Sequence, residues 1–376
     1  MNPGKKCGAE KETSCGCASS TVLKPKKEKP VDRYYVTGWR QTGAGEIPTA
    51  ATTLTKKDKW EHFKVALTIG RGDYKVEPGL YAVGDPTAAA PVLVTANYKL
   101  SFDALRKELG GLAAWLLVLN SKGINVWCAA GKGTFGTDEL VARIESSGLK
   151  EIVNHKKLVV PQLGATGVSA HKVKKLSGFT VVFGPVRAAD LPAFLAAGNK
   201  AAAEMRRVEF PLAERLRQMP ADLVQGIRYL LFISAAFFVL AGLYKGGYSL
   251  QMAGEVGLRA AFNLALAYVG AMALGFLLLP YLPGRSFSFK GLFLGVILFA
   301  FSFTLHITGN GVLEIVGWFL VMGAISSFTV MNLTGSSTYT SLSGVKKEMR
   351  TAVPLQAGAA AVGLLSWLLS RFISLP

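Results

Sequence analysis

Hydrophobic residues are distributed very unevenly along this chain. Up to about residue 220, short apolar runs alternate with polar stretches, whereas residues 221–376 consist of long apolar runs with few charges. The shorter runs follow the periods of strands and of amphipathic helices in turn. They predict strands at 63–69, 91–95, 115–119, 125–127, 157–160 and 179–183, and helices at 101–109, 137–147, 169–176 and 189–197. Strands that alternate with helices are typical of an α/β domain with a mainly parallel sheet, which we place at 34–199.

The second half of the chain has a different pattern. Each of its five apolar segments is close to the ~20 residues that a helix needs to cross the hydrocarbon core of a bilayer. These segments are 226–244, 260–282, 291–308, 312–333 and 353–370. We therefore predict an all-α membrane domain of five transmembrane helices at 223–376. Residues 200–222 precede it and combine several arginines with two prolines, which predicts a basic amphipathic linker that lies on membrane lipid.

Basic residues predict the orientation of this membrane domain. The linker and the loops after the second and fourth segments carry more Lys and Arg than the loops on the opposite side. Because cytoplasmic loops are enriched in these residues, we expect a multi-pass protein of the inner (cytoplasmic) membrane whose α/β domain faces the cytoplasm. The formal net charge of +18 has the same explanation, and no basic groove with interleaved aromatic residues predicts a nucleic-acid partner.

Cysteine usage points to one position in the predicted folded part. Cys7, Cys15 and Cys17 lie in a polar, lysine-rich stretch at 1–33, which we expect to be a disordered tail without a signal peptide. Cys128 stands alone between the predicted strand at 125–127 and the predicted helix at 137–147. Ligands of α/β proteins bind where strands end, and a helix N-terminus stabilises a nearby thiolate. Cys128 is therefore a candidate metal ligand.

Two other interpretations of Cys128 stay open at this point. Lone cysteines are commonly buried and structural. A nucleophilic cysteine needs a histidine base, and His62, His155 and His171 are available, although the sequence places none of them beside Cys128. A phosphate-binding loop is excluded, because Gly133 follows Lys132 where that motif requires Ser or Thr.

Residues 125–132 resemble the signature of a known family, the corrinoid protein of the anaerobic mercury-methylation pair. Residues 91–100 and 161–171 are similar to the corrinoid-binding domain of the corrinoid iron–sulfur protein of the acetyl-CoA pathway. The resemblance covers about residues 35–200 and the five apolar segments, and it implies a Rossmann-like corrinoid-binding domain. It also implies that Cys128 is the axial cobalt ligand and that a cobalamin-type corrinoid contacts Asn125, Val126, Trp127, Cys128, Ala129, Ala130, Gly131 and Lys132.

The activity that this resemblance implies is mercury methylation, in which methyl passes from methyl-Co(III) to Hg(II). Hg(II) accepts the methyl group together with its bonding electron pair, and a thiolate is a strong, soft donor that favours such a departure. The cobalt must then return to Co(I). This chain has no ferredoxin-type cysteine spacing, so we expect no iron–sulfur cluster in it and a separate ferredoxin-like partner as reductant. The acetyl-CoA pathway suggests methyl-tetrahydrofolate as donor, delivered by another protein.

Several further residues are candidates of lower specificity. Asn97 and Lys99 follow a predicted strand, where they could hydrogen-bond the corrinoid or form an ordinary turn. A polar, glycine-containing loop opens the predicted helix at 169–176, and its backbone N–H groups could bind the corrinoid or simply cap that helix; its candidate residues are Gly164, Ala165, Thr166, Gly167 and Ser169. His171 is interpreted as structural.

Two segments outside this candidate site also have open roles. Cys7, Cys15 and Cys17 could capture Hg(II), because thiolates bind that soft cation strongly, or could have no function. The loop at 332–349 could dock the α/β domain or a partner, or could be a plain connection.

Two rival functions remain beside mercury methylation. The first is a membrane-bound corrinoid methyl carrier of one-carbon metabolism, because a methyl group on cobalt does not specify its acceptor. The second is a cobalamin-binding or transport module without catalysis. The apolar segments lack the central charges that mark ion pathways, which disfavours transport.

Overall fold

The structure is a computed structural model and describes residues 33–335 and 342–373. Its N-terminal half is an α/β domain with a seven-stranded sheet. The strands are β1 Val36–Thr42, β2 Gly45–Ala50, β3 Gly79–Val83, β4 Val92–Ala96, β5 Ala114–Leu119, β6 Lys157–Val160 and β7 Thr180–Phe183. The helices of this domain are α1 Lys56–Ala66, α2 Lys99–Arg106, α3 Val126–Gly131, α4 Thr137–Ser146, α5 Leu149–Ile152, α6 Ala170–Ser177 and α7 Leu191–Ala196.

The sheet has the strand order β1-β2-β3-β5-β4-β6-β7. Strands β5, β4, β6 and β7 pair in parallel, while β3 pairs antiparallel with β5 and β1 antiparallel with β2. The chain enters β4, continues to β5 on one side, and crosses over to β6 on the other side. The order therefore reverses between β4 and β6, and the carboxyl ends of these two strands flank a topological switch point.

Alternating side chains of the sheet belong to two separate cores. Val92, Val94 and Leu117 face α3, α4 and α6, whereas Leu93, Leu116 and Val118 face α2 and α7. All six side chains are almost completely buried. This period-2 division makes the domain a three-layer α/β/α sandwich and explains why the strands β4 to β7 have nearly uninterrupted apolar sequences. The predicted mixed order of strands and helices is confirmed for β4 to β7 and for α2, α4, α6 and α7.

Two predicted strands are wrong. In the predicted strand at 63–69, the residues up to Ala66 belong to α1 instead. This helix begins after Thr55, because Thr55 and Asp58 form a capping box. Residues 125–127 begin α3, where the Asn125 side chain accepts a hydrogen bond from the backbone N–H of Cys128 at 2.9 Å. The strands β1, β2 and β3 were not predicted, and they extend the parallel sheet with an antiparallel edge.

The described part of the C-terminal half contains five helices that are long and apolar enough to cross a membrane. They span Leu212–Ala241, Leu250–Leu278, Phe287–Thr304, Val312–Gly335 and Ser343–Leu369. The helices are α8 Leu212–Ala241, α9 Leu250–Ala265, α10 Ala271–Leu278, α11 Phe287–Thr304, α12 Val312–Asn332 and α13 Leu342–Leu369, with a short hairpin of β8 Leu243–Tyr244 and β9 Gly247–Tyr248 after α8. The predicted number of apolar helices of membrane-spanning length is confirmed.

The borders of the first and last spans differ from the prediction. Helix α8 begins at Leu212 and runs through Pro220, so the second half of the predicted linker 200–222 is helical and continuous with the first candidate span. Helix α13 likewise runs through Pro354. Hydropathy marks only the apolar part of a span, whereas backbone hydrogen bonding continues into the polar turns outside it.

Small residues set the packing of the bundle. A Cβ atom added to Gly295 in α11 would lie 3.0 Å from the Cα atom of Gly323 in α12, so the two backbones touch there. Helices α11 and α12 are therefore closely packed neighbours in the bundle. Glu314, in the first turn of α12, is buried, and its Oε1 lies 3.0 Å from Nη2 of Arg371.

Candidate functional site

The loops at the carboxyl ends of β4, β6 and β7 surround a cavity of about 320 Å³. Its wall includes Thr95 of β4, Leu163 after β6 and Arg187 after β7, together with Asn125, Val126 and Trp127 at the start of α3. The cavity therefore lies at the topological switch point, where open α/β sheets bind their ligands. The first half of the 125–132 motif forms one side of it.

Helix α3 divides the motif into two faces. Val126, Ala129 and Ala130, at positions i, i+3 and i+4, are buried in the core against Phe135 and the sheet. The other face is exposed and consists of Trp127, Cys128, Gly131 and Lys132. The two alanines, which the resemblance implies as corrinoid contacts, thus fit α3 closely to the domain and do not lie on its open face. Gly131, one turn after Trp127, is the small residue on the open face.

Cys128 has a free and exposed thiol. It lies in the first turn of α3, and its backbone N–H is hydrogen-bonded by the side chain of Asn125. A Cβ atom added to the neighbouring Gly131 would have no atom within 4 Å, so the surface beside Cys128 is open. A structural cysteine of the core would be buried, whereas the thiol of Cys128 is exposed. Its sulfur can therefore contact a ligand outside the domain.

Asn97 supports the position of α3 from below. Its Oδ1 atom accepts hydrogen bonds from the backbone N–H groups of Ser121 and Gly123, at 3.1 and 2.9 Å. The Ser121 hydroxyl lies 2.8 Å from the same oxygen and 2.6 Å from the carbonyl oxygen of Ile124. Asn97 is almost fully buried. The described partners of its side chain lie in the loop that leads into α3. It acts as a positioning residue for the motif.

Lys99 lies in a buried ionic cluster, away from the cavity wall described above. Its Nζ atom is 2.5 Å from Asp58 and 2.7 Å from Asp103, and the side chain is 3% exposed. Arg106 contacts Asp103 at 2.7 Å and Asp58 at 2.9 Å, and His62 lies 2.8 Å from Asp103. Two cations therefore balance two carboxylates in the interior and tie α1 to α2. The ordinary-turn interpretation of Lys99 is wrong, because Lys99 begins α2 and its side chain is buried.

The cluster shifts the acidity of both carboxyl groups. Burial alone would raise the pKa of Asp103, but the hydrogen bond with His62 and the charges of Lys99 and Arg106 outweigh burial and lower it. Burial also opposes the lowering of the Asp58 pKa, and hydrogen bonds from Lys99 and the Thr55 backbone prevail. Both groups are therefore ionised at neutral pH, which keeps the cluster balanced.

The glycine-containing loop packs directly against α3. A Cβ atom at Gly167 would lie 2.1 Å from the carbonyl oxygen of Phe135 and 3.0 Å from the Cα atom of Ala130. A Cβ atom at Gly164 would lie 2.6 Å from the Phe135 ring. These glycines are thus required for close packing beneath the motif. Thr166 and Ser169 are exposed on the same edge, Ala165 is half-buried, and His171 is exposed in the first turn of α6.

Residues between α7 and α8 lie across this edge of the sheet, which the sequence pattern did not reveal. The Val186 N–H donates to the Met205 carbonyl oxygen at 2.8 Å, and Arg206 contacts the side chain of Gln162 at 3.4 Å. Arg187, which lines the cavity, lies 3.2 Å from Glu214 in the first turn of α8. The candidate site therefore faces the start of α8, which contains the first candidate span. These contacts join residues that are distant in sequence, and no local motif announces them.

The site offers a single soft ligand and a concave neighbourhood. Within 33–335 and 342–373, no group of three or more His, Cys, Asp or Glu side chains could hold a metal ion. A metal bound through Cys128 would therefore have to bring most of its own coordination sphere, as a macrocyclic metal complex does. The open face beside Cys128 fits such a flat group. Cys7, Cys15 and Cys17 lie outside the described residues, as does part of the loop at 332–349.

Comparisons with known proteins agree with this architecture. Residues 64–195 match the family described as CO dehydrogenase/acetyl-CoA synthase delta subunit. The acetyl-CoA decarbonylase/synthase complex subunit gamma of Archaeoglobus fulgidus is 35% identical over 127 residues, which are 33% of this chain and 27% of that protein. The subunit of the same description from Methanopyrus kandleri is 33% identical over 127 residues, again 33% of this chain and 27% of the relative.

These matches cover the α/β domain and a small part of each relative. The chain spans only 27% of the length of the first two relatives, about a quarter. The α/β domain is thus similar to subunits of acetyl-CoA decarbonylase/synthase complexes, which confirms the predicted relation to the acetyl-CoA pathway. The relation to the mercury-methylation protein is not tested by these matches and stays a prediction.

Proposed function

We propose that the α/β domain binds a cobalamin-type corrinoid with Cys128 as an axial cobalt ligand and serves in methyl transfer. The observation that carries this proposal is the exposed thiol of Cys128 on the open face of α3, beside the cavity at the switch point. The similarity to subunits of acetyl-CoA decarbonylase/synthase complexes supports it, because the resemblance of residues 91–100 and 161–171 implies a corrinoid there. The bound corrinoid would supply a cobalt atom that takes up and releases a methyl group.

The residues of the chain would have distinct tasks in this function. Cys128 would hold the cobalt through its sulfur and would supply electron density that favours release of the methyl group. Asn125 and Asn97 hold the first turn of α3 in place. Trp127, next to Cys128 in α3, would line the cavity on the side of the motif. Thr166 and Ser169 provide hydroxyl groups on the same edge of the sheet.

The methyl acceptor has two candidates. The motif at 125–132 favours Hg(II), and a sulfur donor on the cobalt favours departure of the methyl group with its electron pair, which is what Hg(II) accepts. The matched relatives favour the alternative more strongly, a membrane-bound corrinoid methyl carrier of one-carbon metabolism, because they are described as acetyl-CoA decarbonylase/synthase subunits. The two candidates share the corrinoid, Cys128 and the methyl group, and they differ only in the acceptor.

The remaining parts of the chain complete the proposal. The five apolar helices anchor the domain in the inner membrane, with the α/β domain on the cytoplasmic side, where basic loops are expected. The domains would be a tail at 1–33, the corrinoid-binding domain at 34–199, a basic linker from residue 200 that merges into α8, and the membrane domain to residue 376. A ferredoxin-like iron–sulfur protein would return the cobalt to its reduced state, and another protein would deliver methyl-tetrahydrofolate.

The cobalt ligand is tested by spectroscopy on the full chain loaded with corrinoid. We expect an optical band from sulfur-to-cobalt charge transfer in the unaltered protein and its loss in Cys128→His and Cys128→Ala. The variant in which Cys7, Cys15 and Cys17 are all replaced by Ser is the control and should keep the band. An unchanged spectrum in Cys128→Ala would refute the ligand role.

The acceptor is tested with the same proteins. Protein that carries a labelled methyl group is mixed with Hg(II), with a thiol, or with an acetyl-CoA decarbonylase/synthase complex, and the labelled products are quantified. Fast transfer to Hg(II) that is lost in Cys128→Ala supports the mercury function. Transfer to the complex at a much higher rate than to Hg(II) would support the one-carbon carrier. If methyl is transferred to none of the three acceptors, only the binding-module function would remain.

A further inference from the structure

Helix α1 has an exposed face that combines aromatic and basic residues. Lys56, Lys59, Trp60 and Phe63 lie at positions i, i+3, i+4 and i+7 and are all exposed. Trp60 is 60% and Phe63 54% exposed, and their rings stack with centroids 5.6 Å apart. The opposite face of α1 carries Asp58 of the buried ionic cluster. The helix is therefore held rigidly, and it presents an apolar pair framed by lysines to its surroundings.

Helix α1 itself lies against the first of the C-terminal apolar helices. Helix α1 contacts α8, whose residues Leu212–Ala241 form the first candidate span. The first turns of α8 are fixed to the bundle, because Arg215 is buried and donates to the carbonyl oxygens of Phe276 and Leu277 at 2.8 and 2.9 Å. These carbonyls lie at the end of α10. Helix α1 is thus connected, through the packed helix α8, to the end of the bundle that holds the first turns of α8.

We propose that the exposed face of α1 lies on the anionic surface of the bilayer and fixes the α/β domain against the membrane. This inference rests on the membrane placement proposed above. Trp and Phe side chains are suited to the boundary between headgroups and acyl chains, and lysines on the same helix attract anionic headgroups. A lipid surface explains the aromatic and basic residues together. The contact with α8 would bring α1 close to the plane of the bilayer surface. The candidate site, which faces α8, would then open close to the bilayer.

The proposal is tested with the full chain in nanodiscs of phosphatidylcholine and phosphatidylglycerol whose acyl chains carry bromine. Bromine quenches tryptophan fluorescence only within short range. We expect Trp60→Phe to remove part of the quenched emission, because Trp60 inserts into the interface. The matched control is Trp39→Phe, since Trp39 of β1 is similarly exposed at 55% but does not lie on α1. It should leave the quenched fraction unchanged.

Charge and insertion are separated by two further measurements. The double variant Lys56→Gln/Lys59→Gln should lose most of the Trp60 quenching, and so should the unaltered chain in discs of phosphatidylcholine alone. Quenching of Trp318 and Trp367, both inside the bundle, reports insertion of the helices. If these two are quenched while Trp60 is not and stays accessible to acrylamide, α1 does not bind the bilayer and a protein partner would have to cover it. If none is quenched, the membrane placement itself fails.

Discussion

Replacement of Lys99 by Met is the sharpest test of the described geometry, because sequence and structure give this residue different roles. In the structure, Lys99 is 3% exposed and contacts two carboxylates that are themselves fully buried. Lys99→Met keeps the length of the side chain but leaves Asp58 and Asp103 with Arg106 as the cation in contact with both. The cluster would then carry one uncompensated negative charge in the interior.

The expected cost follows from that imbalance. Removing one partner of a buried ion pair destabilises a protein by about 3–5 kcal/mol. For a domain of this size each kcal/mol lowers the unfolding temperature by about 2–4 °C, so we expect a decrease of roughly 6–20 °C. The measurement is thermal unfolding of the purified chain, followed by near-UV circular dichroism, which reports the buried Trp115 of the α/β domain.

Two controls make this result specific. Lys107→Met removes a lysine that is 47% exposed and pairs with Glu108 at the surface, so it should change stability by less than about 1 kcal/mol. The double variant Lys99→Met/Asp58→Asn removes one charge of each sign and should be less destabilised than the sum of its single variants. If Lys99→Met unfolds at the same temperature as Lys107→Met and only weakens corrinoid binding, the buried cluster is refuted and Lys99 is a ligand contact.

The remaining predictions concern acid stability and packing beneath the motif. The folded-state pKa values of Asp58 and Asp103 are lowered, so the stabilisation from these carboxylates is present above the ordinary carboxyl pKa of about 3.9 and is lost as pH falls below it. Unfolding temperatures measured from pH 7 to 3 should therefore decrease at the acid end. The decrease should be smaller in Asp103→Asn. Equal pH profiles would contradict this. Gly167→Ala places a methyl group against the Phe135 carbonyl and should cost about 1–3 kcal/mol, whereas Gly131→Ala meets open space and should leave the unfolding temperature unchanged or higher. Equal unfolding temperatures for the two variants would refute the packing argument.

The sequence by itself determined the elements whose pattern is long and local. The strands β4 to β7 are buried on both faces and therefore have apolar sequences, and a helix that crosses a membrane needs about 20 apolar residues. Both kinds of element can therefore be recognised from a short continuous stretch of sequence. The 125–132 motif and its cysteine were also visible. A run of three apolar residues, however, cannot distinguish period 2 from a helical turn, and at 125–127 the Asn125 cap decided for α3.

Tertiary structure alone decided which side chains meet. Lys99 finds its carboxylate Asp58 41 residues away, and Asn97 receives its hydrogen bonds from a loop 24 to 26 residues further on. The same is true of Arg187 and Glu214, which join the edge of the sheet to α8, the first of the long apolar helices. A polar residue at the end of a strand has the same sequence pattern whether it binds a ligand, pairs in the interior or positions a loop. Only the folded chain brings the distant partner that determines which of these it does.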